Sequence, residues 1–247
     1  MASDHARRVD HLLGMQGGDE RERALFEGEI TSYDPLDTGA SGGTYVATFP
    51  DGSAAYHKRH DSLHTANVHA FGHDVNGPPL HECAAWHFAK ALGPRYERLL
   101  PTTVYRRIEG RWGSLAAELP GTKPGRPAFV HAVDQVNDAG FFDVLIGQQD
   151  RHGNNFLWDA EGGRLGLFDH GFAFPAVGAE HRVRSAVLRN QRRWKQMKLT
   201  DEEVELIERV LGSGDLLGIT PLLEPERADE MTRRLESLGE HRMIPRV

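Results

Sequence analysis

The spacing of apolar and polar residues changes character part-way along the chain. Thr44-Tyr45-Val46-Ala47-Thr48-Phe49 is rich in β-branched and aromatic residues and predicts a strand. Pro50-Asp51-Gly52-Ser53 is a turn signal, and Ala54 to Lys58 returns as a second strand, so the pair predicts a hairpin. From Leu80 to Leu92 the apolar residues Cys83, Trp86, Ala89 and Ala91 recur at helical spacing. The break Asn76-Gly77-Pro78-Pro79 precedes this run and Gly93-Pro94 stops it. Two further strands, Thr102 to Arg106 and Ser114 to Glu118, flank a turn at Glu109 to Gly113. Leu119-Pro120-Gly121-Thr122-Lys123-Pro124-Gly125 reads as a connector. Beyond it the pattern is helical from Ala128 to Ile146. Short strands follow at Phe156 to Trp158 and Leu165 to Phe168, then helices at Asp201 to Leu211 and Glu226 to Leu238. Thr200 and Glu203 have the spacing of a capping box. Residues 1–25 are polar, with a weak helical pattern at Val9, Leu12 and Leu13.

Composition narrows the classes. The chain has 247 residues, 39% hydrophobic and 26% charged, ordinary values for a globular protein. A net charge of −7 argues against a general nucleic-acid binder. The charge is uneven: Arg182, Arg184, Arg189, Arg192, Arg193, Lys195 and Lys198 cluster between His181 and Lys198. That run predicts an amphipathic helix, either solvated or a docking face for an acidic substrate, a lipid head group or nucleic acid. Cys83 is the one cysteine, so neither an internal disulfide nor a cysteine zinc cluster is expected. The first residues lack the apolar run of a signal peptide, and no stretch approaches the roughly 18 apolar residues of a membrane helix. The expectation is a cytoplasmic protein without stable membrane insertion.

The chemistry concentrates in Asp150-Arg151-His152-Gly153-Asn154-Asn155, followed by Asp169-His170-Gly171 beyond an apolar hairpin. Phosphoryl transfer needs a carboxylate beside the incoming nucleophile, and hard oxygen ligands for a divalent metal on the phosphates. Asp150 suits the first task. Asn155 and Asp169 suit the second, and a hairpin between them can bring all three to one edge. Either segment alone reads equally well as a polar turn. Both together, at this separation, are specific.

The Asp-x-x-x-x-Asn spacing with a following Asp-x-Gly is that of a kinase catalytic loop and its metal motif. In the Asp-Arg-His form it resembles the phosphatidylinositol 3/4-kinase-like branch and its bacterial relatives. HipA-like kinases and the atypical secretory-pathway kinases are similar in plan. The resemblance implies a two-lobed α+β protein-kinase-like fold, with a polar extension over 1–25, a β-rich N-lobe over 26–120 and a reduced helical C-lobe over 121–247. It implies ATP and Mg²⁺ as cofactors, with Asn155 and Asp169 on the metal. It puts Asp150 beside the acceptor, and His152 and Arg151 near the migrating phosphate. It implies that Lys58 contacts phosphate, with Arg59 as a rival, and that Glu82 steadies Lys58. Ser41, Gly42 and Gly43 become phosphate-loop contacts, and the backbones of Glu118 and Leu119 meet the adenine edge. The phosphate acceptor is left open, with a protein or small-molecule hydroxyl preferred over a lipid. A nucleotide-binding pseudokinase and an AMP transferase on the same fold are the alternatives. A zinc-dependent hydrolase is a more distant one, and the i,i+4 histidines His60/His64 and His69/His73 could separately ligate a structural zinc.

Overall fold

The computed structural model describes residues 3–36, 43–60, 76–121, 133–176, 183–188, 197–214 and 216–244. Two helices open the chain, α1 (Asp4–Met15) and α2 (Glu20–Glu27), each started by a side-chain cap, Ser3 and Asp19. A five-stranded antiparallel sheet follows, built from β1 (Ser32–Pro35), β2 (Thr44–Thr48), β3 (Ala54–Arg59), β4 (Thr103–Ile108) and β5 (Arg111–Ala117). The strands lie side by side in the order β1-β2-β3-β5-β4. Helix α3 (Gly77–Leu92) and the single turn α4 (Pro94–Glu97) interrupt the strands between β3 and β4. The rest comprises α5 (Val133–Ile146), the hairpin β6 (Phe156–Asp159) and β7 (Arg164–Leu167), α6 (Asp201–Gly212) and α7 (Pro225–His241).

The predicted hairpin is β2–β3, with Val46 opposite Tyr56 and Thr44 opposite Lys58. Strand alternation sends Ala55, His57 and Arg59 to one face of the sheet, and Tyr56 and Lys58 to the other. The first face closes a small core of Ala47, Phe49, Ala55, Val104, Ile108 and Leu115 under Leu25 of α2. The second face packs on α3, which is apolar nearly all round and therefore lies inside the molecule, with Trp86 and Phe88 fully buried. Helix α3 joins the main core, which continues through Phe141, Phe142, Leu145, Phe156 and Leu167 to Ile207, Met231 and Leu235. Leu12 of α1 belongs to the same core.

Thr200 and Glu203 form the expected capping box: Glu203 N donates to Thr200 Oγ1 (3.2 Å) and Thr200 N to Glu203 Oε2 (2.9 Å). The chain from β5 into the helical lobe lies against the β6–β7 hairpin. A Cβ on Gly121, whose φ is +114°, would stand 2.7 Å from the Trp158 carbonyl, and one on Gly166 would press on Leu119. The helix expected from Ala128 is described from Val133, and most of the basic run 181–198 lies outside the described residues.

Candidate active site

Sheet, α3 and hairpin converge on one lysine. Lys58 leaves β3 on the α3 side. Its ammonium donates to Glu82 Oε1 of α3 at 2.6 Å and to Asp169 Oδ1 beyond β7 at 2.8 Å. The other oxygen of Glu82 accepts the backbone N–H of His170 at 3.0 Å. One α3 carboxylate thus holds both the lysine and the backbone next to Asp169. Burial alone would lower the Lys58 ammonium, but Asp169 and Glu82 outweigh it and hold its pKa above the ordinary value. Burial likewise works to raise Glu82, and Lys58 with His170 outweighs it, leaving that carboxyl far below its usual range. Arg59, the rival cation, points to the opposite face, its guanidinium 4.2 Å from the centre of the Tyr45 ring.

Asp169 sits at φ +63°, a left-handed conformation that Asp tolerates better than most residues. Gln148 secures it there. Its amide donates to the Asp169 carbonyl (3.0 Å), while its side-chain oxygen accepts the backbone N–H of Gln149 and of Asp150. This buried glutamine joins the two motifs.

In the loop after α5, the Asn155 amide donates to the Asp150 carbonyl at 2.7 Å. That bond fixes which end of the amide is left over: Oδ1 of Asn155 makes no hydrogen bond among the described residues, and neither does Oδ2 of Asp169. Two hard oxygens, one of them charged, suit Mg²⁺ or Mn²⁺, which keep waters and bind phosphate oxygens besides. The residues present fit such an ion. Among the described residues no group of three or more His, Cys, Asp or Glu is arranged to hold a metal, which the zinc reading requires; His64, His69 and His73 lie outside them.

Asp150 is partly exposed. Its pKa is raised, by burial first, then by the nearby Asp169 carboxylate, against the lowering pull of His152. Asp150 and Asp169 are therefore near enough for their charges to interact. His152 is half exposed, with Nε2 3.9 Å from Asp150 Oδ2.

Arg151 departs from expectation. It is fully buried, and its guanidinium is taken up by internal partners. Its guanidinium pairs with the buried Asp143 (Nη2 to Oδ1, 3.0 Å) and donates to the carbonyls of Asn155 (2.8 Å) and Phe168. Ser185 completes the cluster by donating to Asp143 Oδ2 at 2.7 Å. Arg151 shapes the loop from behind. Its burial next to a charged residue type carried no signal in the sequence, and neither did Gln148.

Gly43 opens β2 at φ +122°, while Ser41 and Gly42 lie outside the described residues. At the link between the lobes, the Glu118 N–H is already donated to the Ala54 carbonyl (2.9 Å). Its side chain accepts from the Tyr56 hydroxyl (3.0 Å). Leu119 turns its side chain toward Gly166.

No protein-family model matches the chain, and no curated protein matches its sequence. Solved structures do. The chain is similar to the Golgi casein kinase, at 16% identity and a TM-score of 0.56 over 89% of this chain and 74% of that one. It is also similar to the Golgi casein kinase with Mn/ADP bound, at 15% identity and a TM-score of 0.57 over 98% and 80%. The chain has an atypical kinase-like fold. The likeness lies with a kinase of the Golgi, one of the plans named from the motifs; the finer kinship with phosphatidylinositol 3/4-kinases or HipA-like kinases is not supported by these neighbours.

Proposed function

We propose that this chain is an ATP-dependent kinase that passes the γ-phosphate to a hydroxyl acceptor on a protein or small molecule. The observation that carries the proposal is the bridging of Lys58 between Glu82 and Asp169, at 2.6 and 2.8 Å, beside an Asp150 that senses Asp169. A lysine held by two carboxylates is poised to trade one of them for phosphate oxygens without losing its fixed position. The Mn/ADP complex of a structure sharing this fold supports a nucleotide and a divalent ion in the same cleft here.

In this reading Lys58 takes the α- and β-phosphates and Glu82 keeps it in place. Asn155 and Asp169 would hold Mg²⁺, which neutralises charge on the phosphate oxygens when bound. Asp150 orients the acceptor hydroxyl and receives its proton, and its raised pKa strengthens it as a base. His152, half exposed at the cleft, stands ready to stabilise charge on the migrating group. Gly43, just before β2, would offer its backbone to the phosphates.

The test is calorimetric titration with Mg²⁺·ATP, followed by transfer from γ-labelled ATP and mass spectrometry of the products. Wild type is expected to bind and to transfer 80-dalton phosphate groups to itself or to a hydroxyl substrate, as any phosphorylation adds about that mass. Asp169→Ala is expected to lose metal-dependent binding and turnover. Binding without transfer to any acceptor would instead establish a pseudokinase, and an AMP adduct would establish nucleotidyl transfer. No nucleotide binding by folded protein would end the proposal.

A further inference from the structure

The Asp169-His170-Gly171 turn is gripped from a second side, away from Lys58. His81, the residue before Glu82 on α3, is fully buried, its ring over Gly77 and edge-on to Phe174 at a centroid distance of 5.8 Å. Its Nδ1 lies 3.1 Å from the Gly171 carbonyl oxygen. That oxygen only accepts, so Nδ1 carries the hydrogen and donates. Its Nε2 lies 3.3 Å from Oε2 of Glu224, the residue capping α7. Glu224 is in turn held by two arginines. Arg8 of α1 donates to its Oε1 at 2.6 Å, and Arg227 Nε lies 3.1 Å from its Oε2. Arg227 also donates to the Phe174 carbonyl at 2.7 Å, so the same cluster holds the chain just past the turn. Burial alone would raise the Glu224 carboxyl, but His81 and Arg8 outweigh it and keep it far below its ordinary range.

We infer that His81 is a positioning residue for the metal-binding turn, tying the Gly171 carbonyl to an Arg8–Glu224–Arg227 cluster and thereby making α1 and α7 part of the active site's frame. The arrangement leaves little slack. A Cβ on Gly171 would meet Pro78 of α3 at 3.0 Å, so the turn lies directly on the first turn of the helix that carries His81. Two residues earlier is Asp169, held in its left-handed conformation. A shift of the Gly171 peptide is passed to Asp169 through two peptide units. Glu82 steadies the Asp169 carboxylate through Lys58, and His81 holds the backbone behind it. The inference rests on Asp169 as metal ligand only for its catalytic consequence; the grip on the turn is a separate, testable fact.

The two ring nitrogens have different partners, and two amide variants separate them. His81→Asn places a donor where Nδ1 stands and keeps the Gly171 bond. His81→Gln places its amide where Nε2 stands and loses that bond. Amide hydrogen exchange over residues 169–174, in apo protein, reads the turn directly, through the His170 N–H on Glu82 and the Ala173 N–H on the His170 carbonyl. His81→Gln is expected to speed exchange there by about tenfold, the worth of one buried hydrogen bond, and His81→Asn by no more than about twofold. Arg8→Gln, in a different helix, is expected to speed exchange in the same peptide by a smaller factor. In calorimetric titrations with Mn²⁺·ADP, His81→Gln should lose about tenfold in affinity while His81→Asn stays near wild type. Equal effects of the two variants on exchange, or none from His81→Gln, would overturn the inference by leaving the ring a packing role only. Should exchange follow the expected pattern while wild-type protein binds no Mn²⁺·ADP, the grip on the turn stands and the kinase reading falls.

Discussion

Asp150 illustrates how surroundings choose among chemically identical side chains. Asp143, seven positions earlier in the chain, is fully buried against Arg151 and Ser185 and holds the loop from inside. Asp150 is partly exposed, near Asp169, and its pKa rises above the ordinary aspartate value of 3.8. A base must be deprotonated to act, so turnover should be full above this raised pKa and fall as pH drops through it. The acid limb of the kcat/KM profile should therefore sit above pH 3.8. Asp150→Asn should remove that limb and reduce turnover by about 10² to 10⁴. A variant retaining wild-type turnover would remove Asp150 from the mechanism. The motif singled out Asp150, Asn155 and Asp169 as candidates, because a hairpin between Asn155 and Asp169 can bring all three to one edge. It gave no sign that Arg151 turns inward, since adjacent residues on a loop share a sequence but not a direction.

At the scale of elements, β3 and β5 show how a strand pair sets the site. Gly113 stands opposite Arg59, one residue from the Ser114 that faces Lys58. A Cβ there would lie 2.2 Å from the Lys58 carbonyl oxygen, a backbone atom that cannot move aside without the strand. Gly113→Ala should cost about 3 kcal/mol of stability in denaturant unfolding and weaken nucleotide binding together. Stability within about 0.5 kcal/mol of wild type would show the ladder to be slack. Strands rich in Val, Tyr and Thr announced themselves, and alternation then decided between Lys58 and Arg59 once β3 was paired. β1 did not, because Ser32-Tyr33-Asp34-Pro35 is a polar edge strand recruited by pairing to β2. Helix α2 was also missed. Its signal was present as Asp19 capping Glu22 N–H, but its burial of Leu25 and its bonds from Trp86 and Lys90 to Glu22 are tertiary.

Over the whole molecule, two buried histidines set the acid limit of the fold. His57 lies inside the sheet's outer core, bonded to the Tyr33 hydroxyl at 2.7 Å, with Nε2 3.3 Å from the Arg106 carbonyl. Burial pushes it down from 6.5 to about 4, and burial does the same to His87 of α3. With the folded pKa below the unfolded one, the unfolded chain binds more protons between these values. Stability therefore rises with pH through this window and is lost on acidification from 6.5 to about 4. The loss should amount to on the order of 3 kcal/mol per histidine. His57→Gln should flatten the slope of melting temperature against pH over this interval; an unchanged slope would refute the assignment. Below it the carboxyls of Glu82 and Glu224, held low in the folded state, add their own loss as they protonate.

What the sequence determined by itself was a candidate set of oxygen-bearing groups and most of the strands and helices that carry them, β1 and α2 excepted. Both follow from local rules: turn chemistry, periodicity and a fixed spacing between oxygen ligands. What only the tertiary structure decided was direction and company. Lys58 reaches Asp169 because two strands pair in one register, Arg151 is buried because Asp143 lies behind it, and His81 touches Gly171 because α3 lies on that turn. The lysine and histidine contacts join residues far apart in the chain, and even the nearby Arg151–Asp143 pair depends on how the loop turns back on α5; no local pattern encodes which partner will fill the space beside a given side chain.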